Sequence, residues 1–110
     1  MMIQVSGAML DTTDGGFLLN PDEWNDSVAE ALATQVNVSL THAHWEIVRF
    51  IRDYYLRFNH LPNARVFVKA VRKELGEEKG NSRYLQRLFP DGPLKQACLI
   101  AGLPKPPGCI

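Results

Sequence analysis

Residues 41–59 read THAHWEIVRFIRDYYLRFN. Trp45, Val48, Phe50, Ile51, Tyr55 and Phe58 recur there at three- and four-residue intervals, the spacing that lays side chains along one face of an α-helix. Thr41 suits the N-cap, and Asn59 with Pro62 stops the run. So apolar a face needs partners to cover it, and the spacing predicts the central core helix of a helical domain.

Working outward, Val66, Phe67, Ala70, Val71 and Leu75 form a second stripe between Asn63 and Gly76, with Gly76 suited to a left-handed helix end. Glu77-Glu-Lys-Gly80 is a polar connection. Asn81 or Ser82 then caps a short helix carrying Tyr84, Leu85, Leu88 and Phe89. Asp91-Gly-Pro93 restarts a last helix through Leu94, Ala97, Cys98 and Ile100 that Gly102 closes. Upstream, Asn20-Pro-Asp-Glu23 reads as an N-cap, a proline at N1 and an N3 glutamate, followed by Trp24, Val28, Ala31, Leu32 and Gln35 at helical spacing. Before that, the runs Ile3–Leu10 and Phe17–Leu19 flank the turn cluster Asp11-Thr-Thr-Asp-Gly-Gly16, the pattern of a small β-hairpin. The expectation is a mainly α chain: a compact orthogonal helical bundle at 1–102, an N-terminal hairpin at about 3–19, and a flexible C-terminal arm at 103–110.

The chain has 110 residues, 12 basic and 12 acidic, with 45% hydrophobic residues, enough for one domain with a real core. Zero net charge gives no general attraction to nucleic acid or anionic lipid. The first residues, MMIQVSGAML, lack a basic region followed by an apolar one, and no run approaches the length of a membrane span. A cytoplasmic protein is expected. Its two cysteines, Cys98 and Cys109, are then expected to be reduced, catalytic or redox-active rather than a permanent staple.

The chain ends in CLIAGLPKPPGCI. Three prolines keep the segment after Gly102 out of a helix and bias it to extended geometry. Eight residues in that form reach on the order of 25 Å, so Cys109 can be delivered into another protein. Folded back at Gly102 and Gly108, the same arm can bring Cys109 to Cys98, closing a loop of about 12 residues worth roughly 3 kcal/mol. Cys98 reads either as that resolving thiol or as a small buried hydrophobe. Thiol chemistry at Cys109 needs thiolate, which the adjacent terminal carboxylate opposes. Lys105, Lys95, Arg83 and Arg87 are the basic candidates to favour it, each also readable as a solvated surface charge.

Two other readings are weaker. The helices around Asn59-His-Leu-Pro62, with Arg65, Lys69, Arg72 and Lys73 on the second, have the outline of a DNA-binding helix-turn-helix, but an ordinary helical hairpin fits a neutral chain better. His42 and Glu46 share a helix face with only two ligands, while His44 points elsewhere, so neither a metal nor a cofactor is expected. No nucleophile, base and oxyanion group assemble into an autonomous active site.

The segments HWEIVRFIRDYYLRFN, GEEKGNSRYLQRLFPDGP and KQACLIAGLPKPPGCI resemble the DsrC/TusE family, the gamma subunit of dissimilatory sulfite reductase and its sulfur-relay relatives. The resemblance runs from about Gly15 to the end. It implies packed helices with a hairpin and a mobile arm, and a persulfide carried on Cys109. In the TusE branch that sulfur comes from a TusBCD complex and passes to the tRNA thiouridylase MnmA, ending in 2-thiouridine. In the DsrC branch Cys98 and Cys109 act together with a DsrAB-type sulfite reductase. Cys98 matches the upstream cysteine of the DsrC branch and departs from relatives with only the penultimate one. The widespread need for tRNA thiolation favours the relay.

Overall fold

A computed structural model describes residues 1–107. Five helices carry the chain: α1 Asp26–Gln35, α2 His42–Phe58, α3 Ala64–Leu75, α4 Ser82–Leu88 and α5 Pro93–Ile100. They follow a two-stranded antiparallel hairpin, β1 Met2–Val5 and β2 Ala8–Asp11. Fold class and element order match the sequence reading; the differences are local and have identifiable causes.

The first lies in the hairpin. Its turn is Ser6-Gly7, inside the run Ile3–Leu10, and not the cluster at 11–16. Both turn residues take positive φ, 48° and 85°, as in the two-residue turns whose twist matches paired strands. Ile3 faces Leu10 across the ladder and is buried in the core. The cluster at 11–16 instead makes a second, smaller reversal that brings Thr12 and Leu18 into a lone bridge.

The second difference is the start of α1. Asn20 does cap a turn, its Oδ1 accepting the Asp22 N–H at 3.0 Å, but that turn is a three-residue 3-10 helix, Pro21–Glu23. Trp24 leaves it in extended geometry, and Asn25 caps α1 afresh by accepting from the Val28 N–H at 2.9 Å. Two good caps five residues apart let the chain break between them, which frees Trp24 to turn its indole elsewhere.

On α2 the fully enclosed residues are Ile47, Val48 and Ile51, with His44 beside them. Trp45, Phe50, Tyr54 and Tyr55 flank that stripe half-buried, whereas Phe58 at its far end is 49% exposed. His44 fastens the helix start. Its Nε2 lies 2.7 Å from the Leu88 carbonyl, which can only accept, so Nε2 carries the proton. Nδ1 is then the acceptor for the Thr41 N–H at 3.1 Å and its hydroxyl at 2.8 Å.

The centre of the molecule is α5 rather than α2. Leu94, Gln96, Ala97, Cys98, Leu99 and Ile100 are all buried, and the helix packs against α1, α2, α3 and α4. A helix apolar on nearly every side is stable only when surrounded. Phe67 and Val71 of α3, Leu85 of α4 and Leu32 of α1 complete the core around it, while Val66, expected on the buried stripe of α3, is 42% exposed. The Glu46 carboxylate holds Lys79 at 2.8 Å, tying α2 to the connection before α4.

Candidate functional site

The sequence points to the segment after α5, and the structure describes where that segment begins. Gly102 has φ +71°. Its N–H donates to the Leu99 carbonyl at 3.2 Å, and the Leu103 N–H donates to the Cys98 carbonyl at 3.0 Å. This is the paired pattern of a Schellman helix end, with Leu103 as its customary apolar follower. Leu103 is 1% exposed and belongs to the core.

Two side chains from distant sequence lock this end. The Trp24 Nε1–H donates to the Ile100 carbonyl at 2.8 Å. The Arg52 guanidinium donates to the Ala101 carbonyl at 2.8 Å and, through its other terminal nitrogen, to the Pro21 carbonyl at 3.0 Å. It lies 4.3 Å from the centre of the Trp24 ring. The carbonyls of Ile100 and Ala101 are those a helix leaves without internal partners, and a cation at that end also meets the negative pole of the helix dipole. Burial pulls the pKa of Arg52 below its usual value, with Asp22 and Asp53 opposing that pull.

Glycine at 102 is required twice. Positive φ strains any side chain with a Cβ, and a methyl there would sit 2.5 Å from Trp24 Cδ1. The root from which Cys109 is carried is thus fixed by backbone pattern, by indole and by guanidinium.

Of the expected site residues, Cys98 is fully buried on the last turn of α5, its carbonyl engaged in the helix end. Arg83 is exposed on α4, Lys95 is half-buried in the first turn of α5, and Lys105 is exposed beyond the root. Among the described residues none of the three forms an ion pair, and no contact joins them into one cluster. Arg87 lines the same shallow depression as Arg83. Pro106 is buried, so packing continues past Leu103. Cys109 and the hinge candidate Gly108 lie outside the described residues.

Sequence reasoning missed the roles of Trp24 and Arg52. The available signal for Arg52 was its place one helical turn from Val48 and three residues before Tyr55, a cation on the margin of an apolar stripe. Nothing in the sequence could pair it with residue 101. Among the described residues no group of three or more His, Cys, Asp or Glu gathers as metal ligands, and no helix is long and apolar enough to cross a membrane.

A sequence profile of DsrC-like proteins matches residues 4–110. The chain belongs to the DsrC-like family. It is 52% identical to the sulfurtransferase TusE of Yersinia pestis over 109 residues, covering 99% of this chain and all of that one. Among solved structures, Allochromatium vinosum DsrC is 50% identical with a TM-score of 0.90, the match spanning 99% of this chain and 97% of the other. The oxidized gamma subunit of the Archaeoglobus fulgidus dissimilatory sulfite reductase is 42% identical with a TM-score of 0.86 over the full length of both chains.

Proposed function

We propose that this protein is a sulfur carrier whose working group is Cys109. The single observation behind this reading is full-length similarity to proteins named sulfurtransferase TusE, within a DsrC-like family match that runs to the last residue of the chain. In the proposed step the Cys109 thiolate attacks the outer sulfur of a donor persulfide. A new S–S bond forms at Cys109, the donor's S–S bond breaks, and the donor departs as a thiolate that takes up a proton. The reverse exchange onto an acceptor thiol regenerates Cys109. No external oxidant or reductant enters, and attack depends on the thiolate fraction and on access.

In this reading residues 1–102 are the body and 103–110 the delivering segment. Trp24, Arg52 and Gly102 hold its root, Leu103 and Pro106 seat its first part, and Lys105 with Lys95 and Arg83 supplies positive charge that favours the Cys109 thiolate. The relay is cytoplasmic: a TusBCD-like complex donates the sulfur, and an MnmA-like thiouridylase accepts it for 2-thiouridine in tRNA.

A second reading has a specific observation in its favour. Cys98 stands on the last turn of α5 and the chain is as similar to Allochromatium vinosum DsrC as to the TusE proteins, which supports a two-cysteine partnership with a DsrAB-like sulfite reductase. Loading the protein from a persulfidated donor and weighing the wild type and Cys98→Ala separates the two. The relay predicts one added sulfur atom in each, with label passing onward to thiouridylase and tRNA. A Cys98–Cys109 disulfide in the wild type, formed as the Cys98 thiolate displaces hydrosulfide from the Cys109 persulfide, lost in Cys98→Ala and accompanied by no transfer to tRNA, would replace the relay with the second reading.

A further inference from the structure

Charge is unevenly divided along this neutral chain. Residues 1–63 hold 3 basic and 8 acidic side chains, whereas residues 64–110 hold 9 and 4. Much of the positive share stands on α3 and α4. Between these helices and the start of α5 runs a groove of about 400 Å³. Phe67, Val68, Leu85 and Leu94 form an apolar floor, and Arg65, Lys69 and Arg72 stand along the α3 wall. The opposite wall, Ser82 and Gln86, is shared with the shallower depression that carries Arg83 and Arg87, so the two form one continuous surface. Among the described residues no carboxylate lines either part.

Arg65, Lys69 and Arg72 are spaced at i, i+4 and i+7, a straight row of about 10 Å along one side of α3. Arg65, Lys69, Arg83 and Arg87 are exposed, and among the described residues none of them is in an ion pair. Arg72 differs, its Nε donating to the Gly80 carbonyl at 3.0 Å. A phosphate backbone would meet the cations but leave the apolar floor wet. An acidic amphipathic segment satisfies both, carboxylates on the row and apolar side chains on Val68, Leu85 and Leu94, as in helix-in-groove recognition.

We propose that the α3–α4 groove is a docking site for an acidic, amphipathic segment of a partner protein. The test reads peptide binding rather than sulfur transfer, so it uses the full-length chain carrying Cys109→Ser. The probe is a labelled synthetic peptide of about four helical turns with leucines on one face and glutamates on the other, followed by fluorescence anisotropy and by amide chemical shifts. Expected are shifts concentrated at residues 64–72 and 82–87, and affinity falling about tenfold on Lys69→Glu combined with Arg83→Glu. Both are exposed positions, and circular dichroism checks that the fold is kept. A peptide with serine in place of leucine should lose binding. The proposal is overturned if the acidic peptide does not bind, if charge reversal leaves its affinity unchanged, or if the serine peptide binds equally well. It is also overturned if transfer RNA or duplex DNA binds this face more tightly than the peptide.

Discussion

Two helices end on a glycine with positive φ, and the ends are built differently. Gly76 closes α3 with φ 98° and ψ 166°, and a side chain there would meet none of the described residues within 4 Å. Gly102 closes α5 with φ 71°, with Trp24 already in the space a side chain would need. The first glycine satisfies a backbone requirement in open solvent. The second satisfies that requirement and a packing one, at the point where the chain leaves α5.

The largest effect expected from this contrast is on Gly102→Ala. Backbone strain of about 1 kcal/mol adds to an overlap with Trp24 costing about 2 kcal/mol more, so urea denaturation should find a loss near 3 kcal/mol. Gly76→Ala carries only the backbone part, about 1–2 kcal/mol in a region nearly exclusive to glycine. The two can be told apart by removing the indole. In a Trp24→Ala background the Gly102→Ala cost should shrink to its strain alone, while the Gly76→Ala cost stays as it was. Equal penalties for the two glycines in both backgrounds would break the comparison.

Next in size are the hydrogen bonds that lock the root. Trp24→Phe keeps most of the ring but leaves the Ile100 carbonyl without its donor, and Arg52→Lys loses the fork that spans Ala101 and Pro21. Each should cost about 1–2 kcal/mol. Hydrogen exchange at Gly102 and Leu103 should accelerate in both variants and remain unchanged at Gly76.

The smallest effect belongs to a partly buried surface link away from the root. The hydrogen bond from Lys79, opposed by burial and reinforced by its charge, lowers the pKa of Glu46 below its ordinary 4.5. A carboxylate depressed in the folded state contributes stability fully above its unfolded value and loses it as pH falls through the folded value. The same contact raises the pKa of Lys79 above 10.5, so that contribution disappears as pH rises through the raised value. Lys79→Met should therefore flatten the stability profile slightly below pH 4.5 and above pH 10.5, with little change in the pH dependence between.

The comparison also marks what the sequence made legible. Local signals, such as Asn63 before α3, Asn81 before α4, Pro93 opening α5 and Gly102 closing it, placed those helices because caps and breakers act within a few residues. The turn at Ser6-Gly7 and the restart at Asn25 were equally local, but each competed with a stronger-looking signal nearby, the cluster at 11–16 and the Asn20-Pro21 pair. What could not be read was non-local. Trp24 reaches Ile100 across 76 positions and Arg52 reaches Ala101 across 49, and no periodicity encodes such pairings. The central place of α5 was hidden for a related reason: eight residues are too few to distinguish a helix with one apolar face from one enclosed on every side.

The proposed carrier role depends on where the sulfur is held. Incubation with a persulfidated donor, followed by intact mass of the wild type and of Cys109→Ala, tests it most directly. One additional sulfur atom on the wild type and none on Cys109→Ala is the predicted result; equal uptake by both proteins would contradict it.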